Sequence, residues 1–235
     1  MDYVKIGDKV ENQYNQSKSD GYRESDNLSI LNETHKKKCK KLKAICNSYG
    51  HKIKVLDLGC GTGRFFYCLE NTKFLLGVDI SSHMLENAKD PVRNEDITVE
   101  KIELKCANIL NIDVKNKFDL IYSLGVLGEH SPFDLSICNN VYKLLNDKGI
   151  FYFTVVDADS KKIRISTSRK LAEIILPFIP GRARKKIQSR WKKFYLNRHD
   201  LYRIMETSNF SSFDISHLQS TAKWRGAHFE CIARK

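Results

Sequence analysis

The 235 residues, 41% hydrophobic and carrying a net charge of +12, are enough for one large domain with a substantial core. No run approaches the roughly 18 apolar residues of a membrane-spanning helix, and the N-terminal MDYVKIGDKVENQYNQ lacks the apolar stretch of a signal peptide. Seven cysteines, an odd number with no C-x-x-C pair, argue against a disulfide framework or a zinc site and for reduced thiols in a cytoplasm.

Residues 1–27 are polar, with little periodicity, and read as a loosely helical lead-in. From about Leu28 the apolar positions Leu31, Leu42, Ile45, Cys46 and Tyr49 fit a helix ended by Gly50. The lysines between Lys36 and Lys43 would lie on its solvated face. Ile53 to Leu58 is short, apolar and rich in β-branched residues, as a buried parallel strand requires. A glycine loop and a helix over Arg64 to Asn71 are expected next, followed by a strand from Phe74 to Asp79. Ser81 suits the cap of a helix that Pro91 stops. Further strands are expected at Ile102 to Ala107 and Phe118 to Leu124. A helix over 134–145 then leads through the turn Asn146-Asp147-Lys148-Gly149 into a fifth strand, Ile150 to Val156.

After Asp159 the alternation breaks. It resumes with a helix over 199–208 and two last strands, around Phe213 to Leu218 and His228 to Ala233. Alternating strands and helices without repeats predict an α/β fold with a mostly parallel sheet covered on both faces. The break reads as an insertion in a single domain over 1–235, with 1–50 as helical lead-in and 160–195 as a basic, partly helical cap. Residues 161–193 hold twelve Lys and Arg against one acid, Glu173, so +11 of the net charge sits there. Leu171, Ile174, Ile175, Phe178 and Ile179 fall at helical spacing within it. Such asymmetry suggests an acidic partner without identifying one.

The chemistry-bearing segment is VLDLGCGTGRF, Val55 to Phe65. A strand runs into Gly59-Cys60-Gly61-Thr62-Gly63, where glycines permit a tight turn and close approach of a ligand to backbone. Twenty residues after Gly59 comes Asp79, at the carboxyl end of the second strand. An acid there can accept hydrogen bonds from both ribose hydroxyls of an adenosine. The glycines read G-x-G-x-G, with Arg64 where a dinucleotide site would carry its third glycine. No Gly-Lys-Ser/Thr follows, which excludes a Walker loop.

On these residues the chain resembles the class I, Rossmann-like, S-adenosylmethionine-dependent methyltransferases. VLDLGCGTGRF resembles the first motif of that family, and Gly77 to Ser81 (GVDIS) the second, with Met84-Leu85 as its continuation. Ala107 to Ile112 is similar to a stretch that usually carries an acid where this chain has Asn108. FDLIYSLGVL, Phe118 to Leu127, resembles the fourth strand, and LLNDKGIFYF the entry to the fifth. The resemblance covers about 28–157 and 196–235 and implies S-adenosyl-L-methionine as cofactor. It implies that Gly59, Cys60 and Gly61 approach the methionine end of the donor, that Asp57 holds its amino group and that Asp79 takes the ribose. Ile80, Asn108 and Ile109 would flank the adenine, and the backbone at Leu124 would face the amino-acid end. Tyr14, Tyr22 or Arg23 could close over the donor.

The expected general base is His130, with Glu129 beside it, after the fourth strand at the carboxyl edge of the sheet, where ligands bind in such folds. An unperturbed imidazole titrates near neutrality and suits proton transfer there. The family often carries a Glu-His pair here, and this chain has one extra residue, Gly128. His228, Trp224 and Arg225 could also face the acceptor, though packing or surface roles are the simpler reading. The remaining histidines show no ligand spacing, and no metal is expected. The cap position favours O-methylation of a small, sugar-like or phosphorylated acceptor. The alternatives are an RNA methyltransferase using the basic segment against phosphates, a peripheral membrane enzyme, and a non-catalytic binding subunit.

Overall fold

A computed structural model describes residues 8, 11, 14–160, 175–181, 194–218 and 227–235. Two helices open the described chain, α1 (Gln16–Ser29) and α2 (Glu33–Asn47). The sequence suggested one helix from about Leu28, but Asn32 interrupts it. Its side chain accepts from the Thr34 backbone N–H at 2.8 Å and caps α2. Below α2 lie seven strands: β1 (Ile53–Leu58), β2 (Thr72–Asp79), β3 (Ile102–Cys106), β4 (Phe118–Ser123), β5 (Leu145–Val156), β6 (Ser212–Leu218) and β7 (His228–Arg234). Three further helices connect them, α3 (Ser82–Asn87), α4 (Leu135–Leu144) and α5 (Arg198–Thr207).

The strands form one sheet in the order β3-β2-β1-β4-β5-β7-β6. The first five run parallel, and β7 lies antiparallel between β5 and β6. This is the mostly parallel, seven-stranded sheet that the alternation predicted. Period-two alternation along each buried strand sorts side chains to two cores. Leu56, Leu58, Ile121, Phe151 and Phe153 join α4 and α5 on one face. Val55, Leu75, Leu120, Tyr122 and Tyr152 join Leu42, Ile45 and Cys46 of α2 on the other. The connection order reverses between β1 and β4, which opens a crevice at their carboxyl ends.

Three expectations need correction. Arg64 to Asn71 forms no α-helix; only a 3₁₀ turn, Phe66–Cys68, follows the glycine loop. Phe66, Cys68 and Leu69 are all buried there, packed into the core beneath α2. The turn at Asn146 to Gly149 lies inside β5, as an irregularity opposite Phe118 and Leu120 with Lys148 in the left-handed region. The third concerns the cysteines. Cys39 of α2 and Cys68 form a disulfide across 29 residues. Sequence spacing carried no trace of it, because the packing of α2 over the 3₁₀ turn sets the distance.

Most of the basic segment 160–195 lies outside the described residues, as do Trp224 and Arg225. Of its apolar positions, Ile175 is half exposed and Phe178 is 86% exposed, so these two do not pack on the sheet as a buried stripe would. No helix among the described residues is long and apolar enough to cross a membrane.

Candidate functional site

The crevice between β1 and β4 is a cavity with about 960 Å³ of empty space, its open mouth included. The loop Gly59 to Gly63 forms its floor. Gly59 N–H donates to the Val78 carbonyl at 2.7 Å, which turns the chain sharply out of β1. At φ +84° a Cβ on Gly59 would lie 2.5 Å from a Val126 methyl, so only glycine fits. Gly61, at φ +54°, faces open space where a Cβ would stand, leaving its backbone bare to a ligand.

Two carboxyls flank this loop, Asp57 buried and Asp79 partly buried. Asp79, ending β2, accepts from the Gly61 and Ser81 backbone N–H groups at 2.9 and 3.0 Å. Burial raises its pKa above the ordinary carboxylate value, while those hydrogen bonds act the other way. Asp57 lies on β1, and burial pushes its pKa up to about 8; the Tyr122 hydroxyl offsets this in part and the Asp79 charge adds to it. A carboxyl so far from water is poised to receive a cation.

Asn108 caps the short turn Ile109–Asn111, its Oδ1 accepting from Leu110 N–H at 3.0 Å. That turn brings Asn108 and Ile109 to the cavity, which Ile80 and Met84 also line. Cys60, whose sulfur lies against Gly77 of β2, and Leu124 line the cavity too.

The N-terminal segment closes one side. Tyr14 and Tyr22 line the cavity, their rings 5.9 Å apart, and Ser81 Oγ donates to the Tyr14 carbonyl at 2.8 Å. Burial, with Tyr22 next, holds the Tyr14 hydroxyl well above its ordinary pKa. Asp26 of α1 accepts from Thr62 Oγ1 at 2.5 Å and from Arg64 at 3.3 Å. Arg23 does not close over the cavity; its Nε donates to the Asp90 carbonyl on the exposed surface. Asp26, Thr62, Arg64 and Phe65 line the cavity too; Asp26 was missed because α1 is a polar helix whose buried acid carries no local signal, while the other three lie in the glycine motif and were given no role.

The loop after β4 forms the far end. Gly125 N–H donates to Thr154 Oγ1 at 3.0 Å. Gly128, at φ +67°, presses on β5, where a Cβ would lie 2.7 Å from Val155. Position 128 therefore takes only a glycine. The turn it makes, with His130 N–H donating to the Val126 carbonyl at 2.9 Å, brings His130 to the cavity edge. The imidazole lies edge-on to Tyr14 at 5.7 Å. Glu129 stands behind it, its carboxylate 3.8 Å from His130 Nε2 and 3.6 Å from His228 Nε2 on β7. The nine residues expected at the donor and His130 all line this cavity, and His228, named from the sequence as a possible acceptor-side residue, faces Glu129.

A family profile described as a methyltransferase domain matches residues 50–209. Among curated proteins, the chain is 29% identical over 111 residues to a malonyl-[acyl-carrier protein] O-methyltransferase of Priestia megaterium, covering 46% of this chain and 38% of that protein. It is 27% identical over 131 residues to a ubiquinone biosynthesis O-methyltransferase of Histophilus somni, covering 54% of each. The chain therefore spans about two-fifths to half the length of these curated relatives. Among solved structures its fold is similar to magnesium protoporphyrin IX methyltransferase of Synechocystis with bound SAH, at a TM-score of 0.58 and 15% identity, covering 86% of this chain and 84% of that one.

Proposed function

Because the chain belongs to the class I S-adenosylmethionine-dependent methyltransferase family, we propose that it transfers a methyl group from that donor to an oxygen of a small, sugar-like or phosphorylated acceptor. The observation that carries the proposal is the pairing of Asp79 with the bare backbone of Gly61 at one end of the cavity and His130 at the other. The residues fit the donor's chemistry. A partly buried carboxylate, Asp79, suits a ribose diol, the apolar side chains of Ile80 and Ile109 suit an adenine, and Asp57 suits an ammonium group.

When bound, the donor supplies a sulfonium methyl that is already activated toward a nucleophile. The chain's work is then to orient and to move one proton. Gly59, Cys60 and Gly61 shape the floor on which the methionine end would rest, with Leu124 beside it. Asp57 trades its proton for the ammonium charge. His130 is placed to accept the acceptor hydroxyl's proton at Nε2 or Nδ1, a role contributing about 10²–10⁴-fold in general. Glu129 lies where it would stabilise the imidazolium so formed. Tyr14, Tyr22 and the α1 helix exclude water from the donor side.

The O-methyltransferase names of the two curated relatives support oxygen as the accepting atom. The basic stretch 161–193 supports an anionic acceptor. It is also the ground for the RNA and membrane-surface readings; the names of the curated relatives support the small-molecule reading. Five unpaired cysteines support a cytoplasmic setting. The test is a screen with radiolabelled donor against metabolite, RNA and lipid fractions. Label entering a small polar metabolite is expected; label entering RNA or lipid alone would overturn the acceptor assignment.

A further inference from the structure

A buried cluster beside the cavity joins α2 to the turn after the glycine loop. His35 and Cys39, one helical turn apart on α2, meet Tyr67 and Cys68. His35 Nε2 lies 2.8 Å from the Tyr67 hydroxyl and 3.3 Å from Cys39 Sγ. The His35 ring stacks on Phe65 at 4.6 Å. The Cys39–Cys68 disulfide closes the cluster, with Cα atoms 5.2 Å apart. The two residues just before this turn, Arg64 and Phe65, line the cavity, and Arg64 holds Asp26 of α1. One covalent bond therefore steadies a wall of the proposed donor site and, through Arg64, the helix that closes it.

We propose that Cys39 and Cys68 form a reversible thiol–disulfide site that sets how tightly the cavity holds the methyl donor, closed by exchange with a low-molecular-weight disulfide. This rests on the donor reading given above. In closure, one cysteine thiolate attacks a sulfur of the reagent disulfide, forming a mixed disulfide and releasing one reagent thiolate. The second cysteine thiolate then attacks the protein sulfur of the mixed disulfide and releases the other. The two protein thiols lose two protons and two electrons, and the reagent disulfide takes up both as two thiols.

The pairing is selective, since the other five cysteines are unpaired, Cys46 of the same helix among them. Disulfides in reducing compartments are as a rule transient or sensing. Neither sulfur is open to a reagent, Cys39 being 7% exposed and Cys68 fully buried. Exchange therefore requires α2 and the 3₁₀ turn to part. A donor bound against Phe65 and Arg64 opposes that parting. By linkage, a bond that opposes it must favour the donor in return. The His35, Cys39 and Cys68 ligand atoms also lie within 4.8 Å of one another, so a thiophilic cation is the rival occupant of the reduced cluster.

The test compares the chain prepared in excess dithiothreitol with the chain equilibrated in oxidised glutathione. Thiol titration after denaturation should count all seven cysteines in the first and five in the second. Calorimetry with S-adenosylhomocysteine should show about tenfold tighter binding to the oxidised form, because the wall is preorganised. Cys39→Ser and Cys68→Ser should each bind like the reduced form in either buffer. Saturating S-adenosylhomocysteine should slow re-reduction by about tenfold. Seven thiols in both preparations, or equal affinity in both, would overturn the proposal. So would zinc held stoichiometrically by the reduced chain and released in Cys68→Ser, which would make the cluster a metal site. A count of five thiols with S-adenosylhomocysteine binding neither form would instead overturn the donor reading, and this inference with it.

Discussion

Asp26 of α1 accepts a 2.5 Å hydrogen bond from the Thr62 hydroxyl, fastening the N-terminal helix to the loop that floors the cavity. Asp26 is buried, and burial raises its pKa while the Arg64 charge and the Thr62 hydrogen bond lower it. Asp26→Ala leaves Arg64 without its carboxylate partner and frees α1 from the loop. Hydrogen bonds to charged groups contribute about 1.5–3 kcal/mol, so affinity for S-adenosylhomocysteine should fall by about tenfold or more. Unchanged affinity, measured by calorimetry, would show that α1 plays no part in closing the site.

Asp79 should carry the ribose. Asp79→Ala is expected to weaken S-adenosylhomocysteine by about 1–3 kcal/mol. Because Asp79 also holds Gly61 and Ser81, part of that loss could come from the loop. A donor analogue without ribose hydroxyls separates the two. It should bind the wild type more weakly than S-adenosylhomocysteine does, while the variant should not distinguish the pair.

Asp57 gives a pH signature. Its carboxyl titrates near 3.8 in the unfolded chain and near 8 in the ligand-free fold. Between those values the fold binds the extra proton, so this group's contribution to stability falls as pH rises from about 4 to about 8. A ligand ammonium group restores the ionised form, so binding near pH 7 should release about one proton. Calorimetry in buffers of different ionisation enthalpy would count it. Asp57→Asn should abolish the release, and a wild type that releases none would refute the role.

His130→Ala should lower kcat by about 10²-fold, with donor affinity little changed, if it takes the acceptor's proton. Glu129→Gln, which keeps the shape but removes the charge facing both imidazoles, should shift the pH profile of kcat more than its plateau. A His130→Ala enzyme with wild-type kcat across pH 5–9 would reassign His130 to ordering the loop.

The donor half of the site was legible in the sequence because it is local. Gly59, Gly61 and the Asp57-to-Asp79 span lie on consecutive strand ends, where strand alternation and glycine spacing carry the information. Asn108 and Ile109 followed for the same reason. What escaped was set by long-range packing. Asp26 reaches Thr62 across 36 residues, Cys68 reaches Cys39 across 29, and His228, already a candidate, takes Glu129 as its partner from β7, a pairing that no local pattern encodes. The helix expected over Arg64 to Asn71 failed because Phe66, Cys68 and Leu69 are drawn into the α2 core, which favours a short turn over a helix.

The central claim is that the cavity between β1 and β4 holds S-adenosylmethionine. Titration calorimetry of the purified chain with S-adenosylhomocysteine tests it most directly. The account predicts a single binding site, weakened in Asp79→Ala, with no binding of NADH. Tight binding of NADH and none of S-adenosylhomocysteine would contradict it.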